Sequence, residues 1–576
     1  MKKKVLSLLL VGTMLVGMLA GCGDNKDNVS NNDEKQNTSE QEGGEQEGGE
    51  QELTTVKILA NYLAGVVSGP DWQWDSSVVG QALKKDLEEI GIRLEVELVD
   101  AEQISNIVST RMASGIDLPD LVSYCWQADA NNTIKKWADS GLVYELTTLL
   151  EQYDEDGSIM KFYTETAPGA MGLNAFDDGS LYWFSYLWSS EARKYVDKET
   201  GTPYTNADGT RNISIRKDWV EAVGETIKES YTLDELRTLL IKFREEDANG
   251  NGLQDEIVAY NIGDFANTIA TAFGLTRQTL AGYFEGEYEV FSNFYHENFP
   301  AYIEYMKSLY DAGVYDTVAI STPNDQLIAE DRVALADGYS KWDFESYLPT
   351  AEPGKLYYMP VYIDDDGNLD NGFYQYADST GTASYCNYFI PTVSKNVEAV
   401  IRLMDYVYSE DYYKLCQLGV EGYGYDVDEN GNYVVRPNPD ALDDMKNLQW
   451  ITIAPYILPQ VYAVQTVNER VYGTEKEEAK GLHNYKFSTE YYETVMDANM
   501  MEFSNQSLAM PTPEEQSFID EKTSVLHSYA NELLTDLIMG RKSLDDMPQY
   551  LNEMEELGLK EYVDIIQARL DRYLAY

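Results

Sequence analysis

Apolar patterns of alternating strand and helix type open the folded part of this chain. Residues 56–59 form a short apolar run typical of a strand, and residues 78–90 repeat apolar side chains at helical spacing. Residues 92–98 alternate between apolar and charged side chains, which predicts a strand, and a helix near 102–114 precedes a strand near 120–124. This alternation favours an α/β fold with a parallel sheet, whose ligands bind beyond the carboxyl ends of the strands.

Similar signals recur later in the chain. Residues 213–219 suggest a strand that leads into a helix, and Thr232 and Glu235 have the spacing of a capping box at the start of another helix. From residue 514 to the end, the pattern predicts three amphipathic helices with breaks near residues 540–543 and at Gly558. The expected architecture is therefore α/β with a helical C-terminal segment.

The amino terminus has the pattern of an export signal that ends in a cysteine. Three lysines at residues 2–4 precede an apolar run at residues 5–20, which is shorter than the roughly 20 residues of a membrane-spanning helix. Residues 19–22, Leu-Ala-Gly-Cys, resemble the lipobox of bacterial lipoproteins, which implies removal of residues 1–21 and lipidation of Cys22. Two acyl chains would anchor the protein stably. An ordinary signal peptide followed by a chance cysteine is the alternative.

Residues 22–53 are predicted to form a disordered acidic tether behind this cysteine. Residues 23–52 include ten acidic side chains and two lysines, and Val29 is the one apolar side chain among them. Such a segment cannot bury enough apolar surface to offset the entropy of ordering. As a flexible chain it would span about 30 Å, so a folded body from residue 54 to residue 576 could move relative to its anchor.

Charge and cysteine content exclude several classes of function. A formal net charge of −56 disfavours binding to nucleic acid and to anionic lipid headgroups. Besides Cys22 the chain has Cys125, Cys386 and Cys416, an odd number without C-x-x-C spacing. This pattern indicates neither a disulfide framework nor a zinc site, and buried thiols are the favoured interpretation.

Five stretches of the body occur in an informative order and spacing. They are residues 114–120 (SGIDLPD), 215–219 (IRKDW), 232–256, 419–422 (GVEG), and 555–559 together with Arg572 and Tyr573. In combination they resemble the family 1 extracellular solute-binding proteins of ABC importers, and especially the lipoproteins similar to alginate-oligosaccharide-binding proteins. The resemblance covers most of residues 54–576.

The resemblance implies a two-lobed type II periplasmic-binding-protein fold with a ligand cleft between lobes that are discontinuous in sequence. The expected boundaries are residues 54–165 and 316–375 for lobe 1, residues 166–315 and 376–513 for lobe 2, and residues 514–576 for the C-terminal helices. It also implies an importer component at the outer face of the bacterial cytoplasmic membrane. The expected partners are a carbohydrate and the permease subunits, with the protein itself a monomer.

A sharp chemical motif lies at residues 247–256, DANGNGLQDE. Oxygen side chains at positions 1, 3 and 5, a glycine at position 6 and a carbonyl at position 7 suit Ca²⁺. The loop departs from an EF-hand because position 12 is Val258. The resemblance implies that Asp255 and Glu256 supply the closing carboxylates, as in the family's structural calcium loop. An Asn-Gly surface turn is the alternative. The expected ligands are Asp247, Asn249, Asn251, the Leu253 carbonyl, Asp255 and Glu256. Two similar acidic stretches, residues 364–370 and 426–432, are predicted to be hairpin turns instead.

Aromatic residues are the second chemical signal, because the chain has 45 tyrosines and nine tryptophans. A sugar-binding cleft needs flat aromatic platforms beside polar side chains. For any one aromatic residue a place in the core is the alternative, and Trp219 is predicted to be such a core residue. The candidate ligand-binding residues are Trp72, Trp74, Trp126, Tyr186, Trp188, Trp342 and Tyr376.

Three classes of function fit an extracellular protein of this composition. A glycoside hydrolase would use two carboxyl groups, and 99 acidic residues leave that possibility open. A sensor would present the same ligand to a membrane kinase. The resemblance favours a binder without catalytic residues that captures a carbohydrate, with a neutral oligosaccharide preferred because of the acidic charge.

Overall fold

The computed structural model describes the greater part of the chain after residue 52. The described residues are 53–62, 73–166 without 126 and 128, 169–188, 194–196, 203–206, 213–259 without 229, 269–315 without 271, 277 and 284–287, 324–336, 348, 358–363, 383–440 without 437–439, 457–459, 471–472, 486–488 and 508–576. None of the helices in these ranges has both the length and the apolar character needed to cross a membrane. The predicted signal peptide, Cys22 and the tether lie outside the described residues.

The described strands are numbered in chain order. They are β1 (Thr54–Tyr62), β2 (Ile92–Asp100), β3 (Leu121–Cys125), β4 (Phe184–Trp188), β5 (Lys194–Val196), β6 (Pro203–Asn206), β7 (Ile213–Arg216), β8 (Ser230–Tyr231), β9 (Ile257–Ala259), β10 (Val333–Ala336), β11 (Tyr358–Ile363), β12 (Ala383–Phe389), β13 (Tyr425–Val427), β14 (Tyr433–Val435), β15 (Val471–Tyr472) and β16 (Lys486–Ser488).

The described α-helices follow the same convention. They are α1 (Val78–Glu89), α2 (Ile104–Ser114), α3 (Ala130–Asp139), α4 (Leu146–Tyr153), α5 (Ser158–Lys161), α6 (Gly169–Asn174), α7 (Lys217–Ala222), α8 (Leu233–Glu245), α9 (Phe299–Asp311), α10 (Asn324–Ala329), α11 (Val397–Val407), α12 (Glu410–Leu418), α13 (Pro513–Phe518), α14 (Ser524–Ile538), α15 (Met547–Leu557) and α16 (Leu559–Leu574). Short π-helical segments occupy Phe162–Thr166 and Ile519–Thr523, and 3₁₀ turns occupy Asn293–Tyr295 and Leu544–Asp546.

The first sheet has the strand order β2-β1-β3-β12-β4. Strands β1, β2 and β3 are parallel, as the alternating pattern predicts, and β12 joins β3 in the antiparallel direction. Side chains of successive residues face opposite sides of a strand. Ile58 and Tyr388 accordingly enter a core that includes residues of α1, α4 and α11, whereas Leu59 and Phe389 enter a second core with residues of α2 and α3. Because both faces of the sheet are covered by helices, the α/β prediction is confirmed.

The second sheet has the order β8-β11-β7-β10-β9 and mixes parallel and antiparallel pairs. Its core includes Trp219, which is 1% exposed, so the prediction that Trp219 is a core residue is confirmed. The capping box is also present, because the Thr232 side chain accepts from the Glu235 backbone and the Glu235 side chain from the Thr232 backbone. A third set of strands has the order β13-β14-β15-β5-β6-β16.

The C-terminal helices pack mainly on the second sheet. Leu533 of α14, Met554 of α15 and Leu559 of α16 are buried in its core. The breaks fall where they were predicted, and Gly558 at the second break has φ of 106°. A side chain there would also be obstructed, because a Cβ on Gly558 would lie 2.9 Å from Phe518 Cζ.

The first and second sheets group the chain differently from the predicted lobe boundaries. Strands β4 and β12, together with α11 and α12, belong with the first sheet, although residues 166–315 and 376–513 were expected in lobe 2. Strands β10 and β11 belong with the second sheet, although residues 316–375 were expected in lobe 1. Strand pairing between distant residues fixes these crossovers, and no local sequence pattern reports it.

Candidate functional site

The carboxyl ends of the parallel strands in the first sheet form a candidate ligand-binding edge. The parallel strands β1, β2 and β3 all end at one edge, with Tyr62, Asp100 and Cys125 as their last residues. Open sheets of this kind bind ligands beyond that edge. The predicted platforms Trp72 and Trp126 follow β1 and β3 in sequence, and both lie outside the described residues.

Several side-chain amides lie near this carboxyl edge, and none of them is among the predicted ligand-binding residues. Asn387 lies opposite Tyr124, and its Nδ2 donates to Asn131 Oδ1 at 2.5 Å. Gln127 Nε2 donates to the Cys125 carbonyl at 3.0 Å. Asn61, the penultimate residue of β1, is fully buried, and neither of its amide atoms has a hydrogen-bond partner in the described structure. An unpaired buried polar group costs about 1–3 kcal/mol. Position near the carboxyl end of a strand is a signal that could have identified Asn61 and Gln127, whereas Asn131 lies on α3 and Asn387 lies within β12.

Trp74 lies beside β2, the strand at one lateral edge of the same sheet. It is half-buried against the core beneath α1 and borders a cavity of about 470 Å³ between α1 and the edge strand β2. The polar lining includes Lys84 and Asp75, which form an ion pair at 2.7 Å, and the charged residues Glu88 and Arg93. Trp74 is therefore an aromatic wall of a groove along α1.

The structure does not bring Trp74 together with the predicted residues of β4. Tyr186 and Trp188 belong to β4, the strand at the other edge of the five-stranded sheet. Four steps between neighbouring strands, roughly 19 Å, separate the two edges, so β4 lies far from the edge beside which Trp74 lies. Trp342 and Tyr376 lie outside the described residues.

The predicted calcium loop follows α8, and hydrogen bonds from its own backbone hold several of its side-chain oxygens. Backbone N–H groups donate to three of these side chains: Gly252 N to Asp247 Oδ2 at 2.9 Å, Asn251 N to Asn249 Oδ1 at 3.0 Å, and Leu253 N to Asn251 Oδ1 at 2.7 Å. The glycines at 250 and 252 have φ of 72° and 84°, a left-handed conformation that other residues adopt at a cost. The spacing of oxygen side chains therefore produces a compact turn with polar groups on its inner side.

Two carboxylate oxygens of this loop are buried without a hydrogen-bond partner among the described residues. They are Asp247 Oδ1 and Glu256 Oε2, and Glu256 as a whole is 1% exposed. Burial raises the pKa of the Glu256 carboxyl, and the nearby charges of Asp255 and Asp247 raise it further. Buried carboxylates normally have a counter-charge. A hard divalent cation with oxygen ligands would supply one, so these residues fit Ca²⁺.

Residues around Asp331 and Arg332 fasten the loop to the second sheet. Asn249 Nδ2 donates to the Asp331 carbonyl at 2.9 Å, and Arg332 Nε donates to the Asp255 carbonyl at 3.1 Å. Arg244 Nη1 donates to the Glu256 carbonyl at 3.1 Å. These bonds connect the loop to α8 and to the residues that lead into β10, so an ion bound here would brace the sheet rather than perform chemistry.

Arg216 of the IRKDW stretch also contacts Asp331, the residue that accepts a hydrogen bond from the loop. The Arg216 side chain is 2% exposed and donates to both carboxylate oxygens of Asp218, at 2.8 and 2.7 Å, and to Asp331 Oδ1 at 2.7 Å. Its guanidinium lies 4.5 Å from the centroid of the Trp219 ring. Asp331 thus touches Arg216 through its side chain and the calcium loop through its backbone.

The loop carboxylates are not drawn together in this conformation. Among the described acidic residues, Asp154, Asp156 and Asp405 offer carboxyl oxygens within 4.8 Å of one another, whereas Asp247, Asp255 and Glu256 do not form such a group. The former three lie mostly exposed at the surface. In the loop, the Asn249 amide donates to Asp255 Oδ1 at 3.3 Å, so ion binding would require the Asn249 side chain to present its oxygen instead.

The look-alike stretch at residues 426–432 is a hairpin, as predicted. Strands β13 and β14 pair in the antiparallel direction, and Asp428 Oδ1 accepts from the backbones of Asn430 and Asn432, each at 2.8 Å. Its carboxylate is thus occupied within the turn. The other stretch, residues 364–370, lies outside the described residues.

The chain is similar in sequence to a known substrate-binding protein. No family model matches the chain. Its sequence is 22% identical over 474 residues to the fructooligosaccharide ABC transporter substrate-binding protein FusA of Streptococcus pneumoniae, and the match covers 80% of this chain and 81% of FusA.

Solved structures share the fold at low sequence identity. A solute-binding protein of Bifidobacterium longum infantis, described as HMO-binding and ABC-transporter-associated, is 18% identical with a TM-score of 0.63 and covers 90% of this chain and 99% of its own. An EF-hand mutant of FusA in complex with fructo-nystose is 18% identical with a TM-score of 0.61, over 91% and 100% of the two chains.

The alginate-binding protein AlgQ2, solved without calcium ion, is 18% identical with a TM-score of 0.54, over 91% of this chain and 99% of its own. The neighbours are two-lobed solute-binding proteins, and the present chain has their mixed helix and sheet architecture with a helical C-terminal part. The predicted resemblance to the family 1 extracellular solute-binding proteins of ABC importers is therefore confirmed.

Proposed function

We propose that this protein is the extracellular substrate-binding component of an ABC importer and that it captures a carbohydrate between its lobes. The main support is the sequence similarity to FusA, which extends over four fifths of both chains. FusA is named as a fructooligosaccharide ABC transporter substrate-binding protein, and AlgQ2 is named as an alginate-binding protein. Delivery to a two-subunit permease would follow ligand capture.

Lobe closure is the mechanism that suits this architecture. A sugar that contacts both lobes makes its full set of contacts only in the closed form, so binding shifts the population toward that form. The closed surface would then dock on the permease. A ligand-presenting sensor for a membrane kinase would use the same step, and recovery of permease subunits or of a kinase with the ligand-loaded protein distinguishes the two roles.

A neutral oligosaccharide is the preferred ligand for two reasons. The net charge of −56 creates a field that disfavours anionic sugars. In addition, Asn61, Gln127, Asn131 and Asn387 place uncharged amides near the carboxyl end of the first sheet. Amides donate to and accept from hydroxyl groups without requiring a charge on the ligand.

A structural Ca²⁺ ion is the second part of the proposal. Asp247, Asn249, Asn251, the Leu253 carbonyl, Asp255 and Glu256 would hold it, and the buried oxygens of Asp247 and Glu256 favour a cation at this place. Two structural neighbours also support a calcium site, because FusA was solved as an EF-hand mutant and AlgQ2 was solved without calcium ion. The ion would neutralise buried charge and stabilise the second sheet.

Lipid anchoring at Cys22 gives the first prediction. The Leu-Ala-Gly-Cys stretch and the acidic tether motivate it. Cys22→Ala is expected to release the protein from the membrane fraction or to leave the precursor unprocessed, because the modified residue is lost. Fractionation followed by mass spectrometry of the amino terminus checks this. An unmodified amino terminus at another residue in the unaltered protein would contradict the proposal.

The hydrolase alternative gives the second prediction. When the protein is incubated at high concentration with an oligosaccharide that it binds, the sugar is expected to be recovered intact. Mass spectrometry and an assay for new reducing ends check this, and a glycosidase active on the same sugar serves as the positive control. Steady release of shorter sugars that follows the protein through purification would instead support an enzyme.

A further inference from the structure

Two cysteines that are far apart in sequence face each other across the first sheet. In the antiparallel register between β3 and β12, Cys386 lies directly opposite Cys125. Both side chains are fully buried, and both belong to the core that includes residues of α1 and α11. The number and spacing of the cysteines offer no reason to associate these two residues.

The register places the two Cβ atoms in a pair whose usual separation borders on the range of a disulfide. Directly opposite residues of an antiparallel pair have Cβ atoms about 4.5–5.5 Å apart. A disulfide needs a Cβ separation of about 3.5–4.5 Å. A small approach of the strands is therefore sufficient, and both side chains already point to the same face because they share a core.

Two hydroxyl groups lie beside the sulfur atom of Cys125. Ser123 Oγ lies 3.2 Å from Cys125 Sγ, and the Cys125 thiol lies 3.6 Å from the Tyr388 hydroxyl. The two sulfur atoms are not joined by a disulfide bond in this structure.

We propose that Cys125 and Cys386 are an oxidation site that forms a cross-strand disulfide. Two thiols lose two protons and two electrons, and one S–S bond forms. The oxidant is a low-molecular-weight disulfide: one cysteine thiolate attacks it and releases one small thiol, and the second thiolate attacks the mixed disulfide and releases the other. An extracellular location exposes the protein to such oxidants.

The bond would join two central strands of the sheet. Strand β3 ends at Cys125, beside the edge where the ligand is expected, and β12 returns to the sheet after the chain has passed through the second sheet. Cys416 on α12 is the natural internal control. It is also buried, burial raises the pKa of its thiol, and it is not a register partner of either strand cysteine.

Peptide mapping tests this proposal in two arms. In one arm the folded, full-length protein is incubated with oxidised glutathione below its melting temperature. In the other it is unfolded, reduced and refolded in a buffer of reduced and oxidised glutathione, which gives every thiol access to the oxidant. Both samples are then denatured in N-ethylmaleimide, digested and analysed by mass spectrometry.

The expected result is one peptide pair linked through Cys125 and Cys386 in at least one arm, which disappears after reduction. Cys386→Ala and Cys125→Ala should each abolish the pair, whereas Cys416→Ala should leave it intact. Recovery of Cys125 and Cys386 as alkylated or glutathione-modified residues in both arms, without the linked pair, would overturn the proposal. A linked pair that includes Cys416 in place of either residue would also overturn it.

Discussion

Removal of calcium is expected to lower the free energy of unfolding by about 2.7 kcal/mol when the ion was present at a hundredfold excess over its Kd. The physical reason is that a cation offsets buried carboxylate charge at Asp247 and Glu256, each of which has an oxygen without a partner. Thermal unfolding in calcium and in EDTA measures the difference. The melting temperature should fall in EDTA and recover when calcium is restored.

Two matched variants test whether the difference in melting between calcium and EDTA arises from the loop at residues 247–256. Asp247→Asn removes one carboxylate from the proposed ligands and should abolish most of the difference between calcium and EDTA. Asp428→Asn makes the same chemical change in the look-alike hairpin, where the carboxylate already accepts backbone hydrogen bonds, and should leave the difference unchanged. Identical melting of the unaltered protein with and without chelator would contradict the calcium site.

Loss of an aromatic platform is the second large effect that we expect. Trp126→Ala or Trp72→Ala should weaken sugar binding by about 1–3 kcal/mol, since each would remove the apolar surface of a large side chain from contact with the ligand. This corresponds to roughly ten- to hundredfold in Kd. Calorimetric titration of the variants measures it.

A control separates loss of a platform from general damage. Tyr576→Ala removes an aromatic ring that is 55% exposed at the end of the chain and should leave the sugar affinity unchanged. The platform variants should retain the melting temperature and the calcium response of the unaltered protein. If Trp126→Ala and Trp72→Ala both bind the sugar as tightly as the unaltered protein, these residues are not the platforms.

Local structure could be predicted well because its causes lie within a few residues. Val79, Leu83 and Leu87 recur at helical spacing, and all three are buried on one face of α1. The capping box at Thr232 and Glu235 and the hairpin at residues 426–432 are likewise set by neighbouring side chains and turn residues. Each is a short-range arrangement with a recognisable sequence pattern.

Long-range arrangement could not be predicted from the same patterns. Nothing within Ala383–Phe389 indicates that this strand pairs with β3 and not with a strand of the second sheet. The consequence is visible at the candidate site, because Trp74 and Trp188 were grouped as ligand residues but lie by opposite edges of one sheet. Asn61 and Asn387 were missed because they look ordinary until the strand ends are placed side by side.

The proposed calcium loop is the feature that sequence could specify most fully, since its six expected ligands lie within ten residues and need no long-range information. Even there the structure adds what the motif lacks. Asp331 and Arg332 bind the loop from the start of β10, and Arg216 connects Asp331 to Trp219. Those contacts depend on the pairing of β7 with β10.

Isothermal titration calorimetry against a panel of ligands shows whether this protein binds carbohydrates in preference to peptides. The panel contains neutral oligosaccharides that include fructooligosaccharides, an alginate oligosaccharide, and a set of short peptides, each titrated into the full chain in calcium. The account predicts saturable binding of at least one neutral oligosaccharide, tighter than binding of the alginate oligosaccharide and of any peptide. Tight binding of a peptide, with no heat from any oligosaccharide, would contradict it.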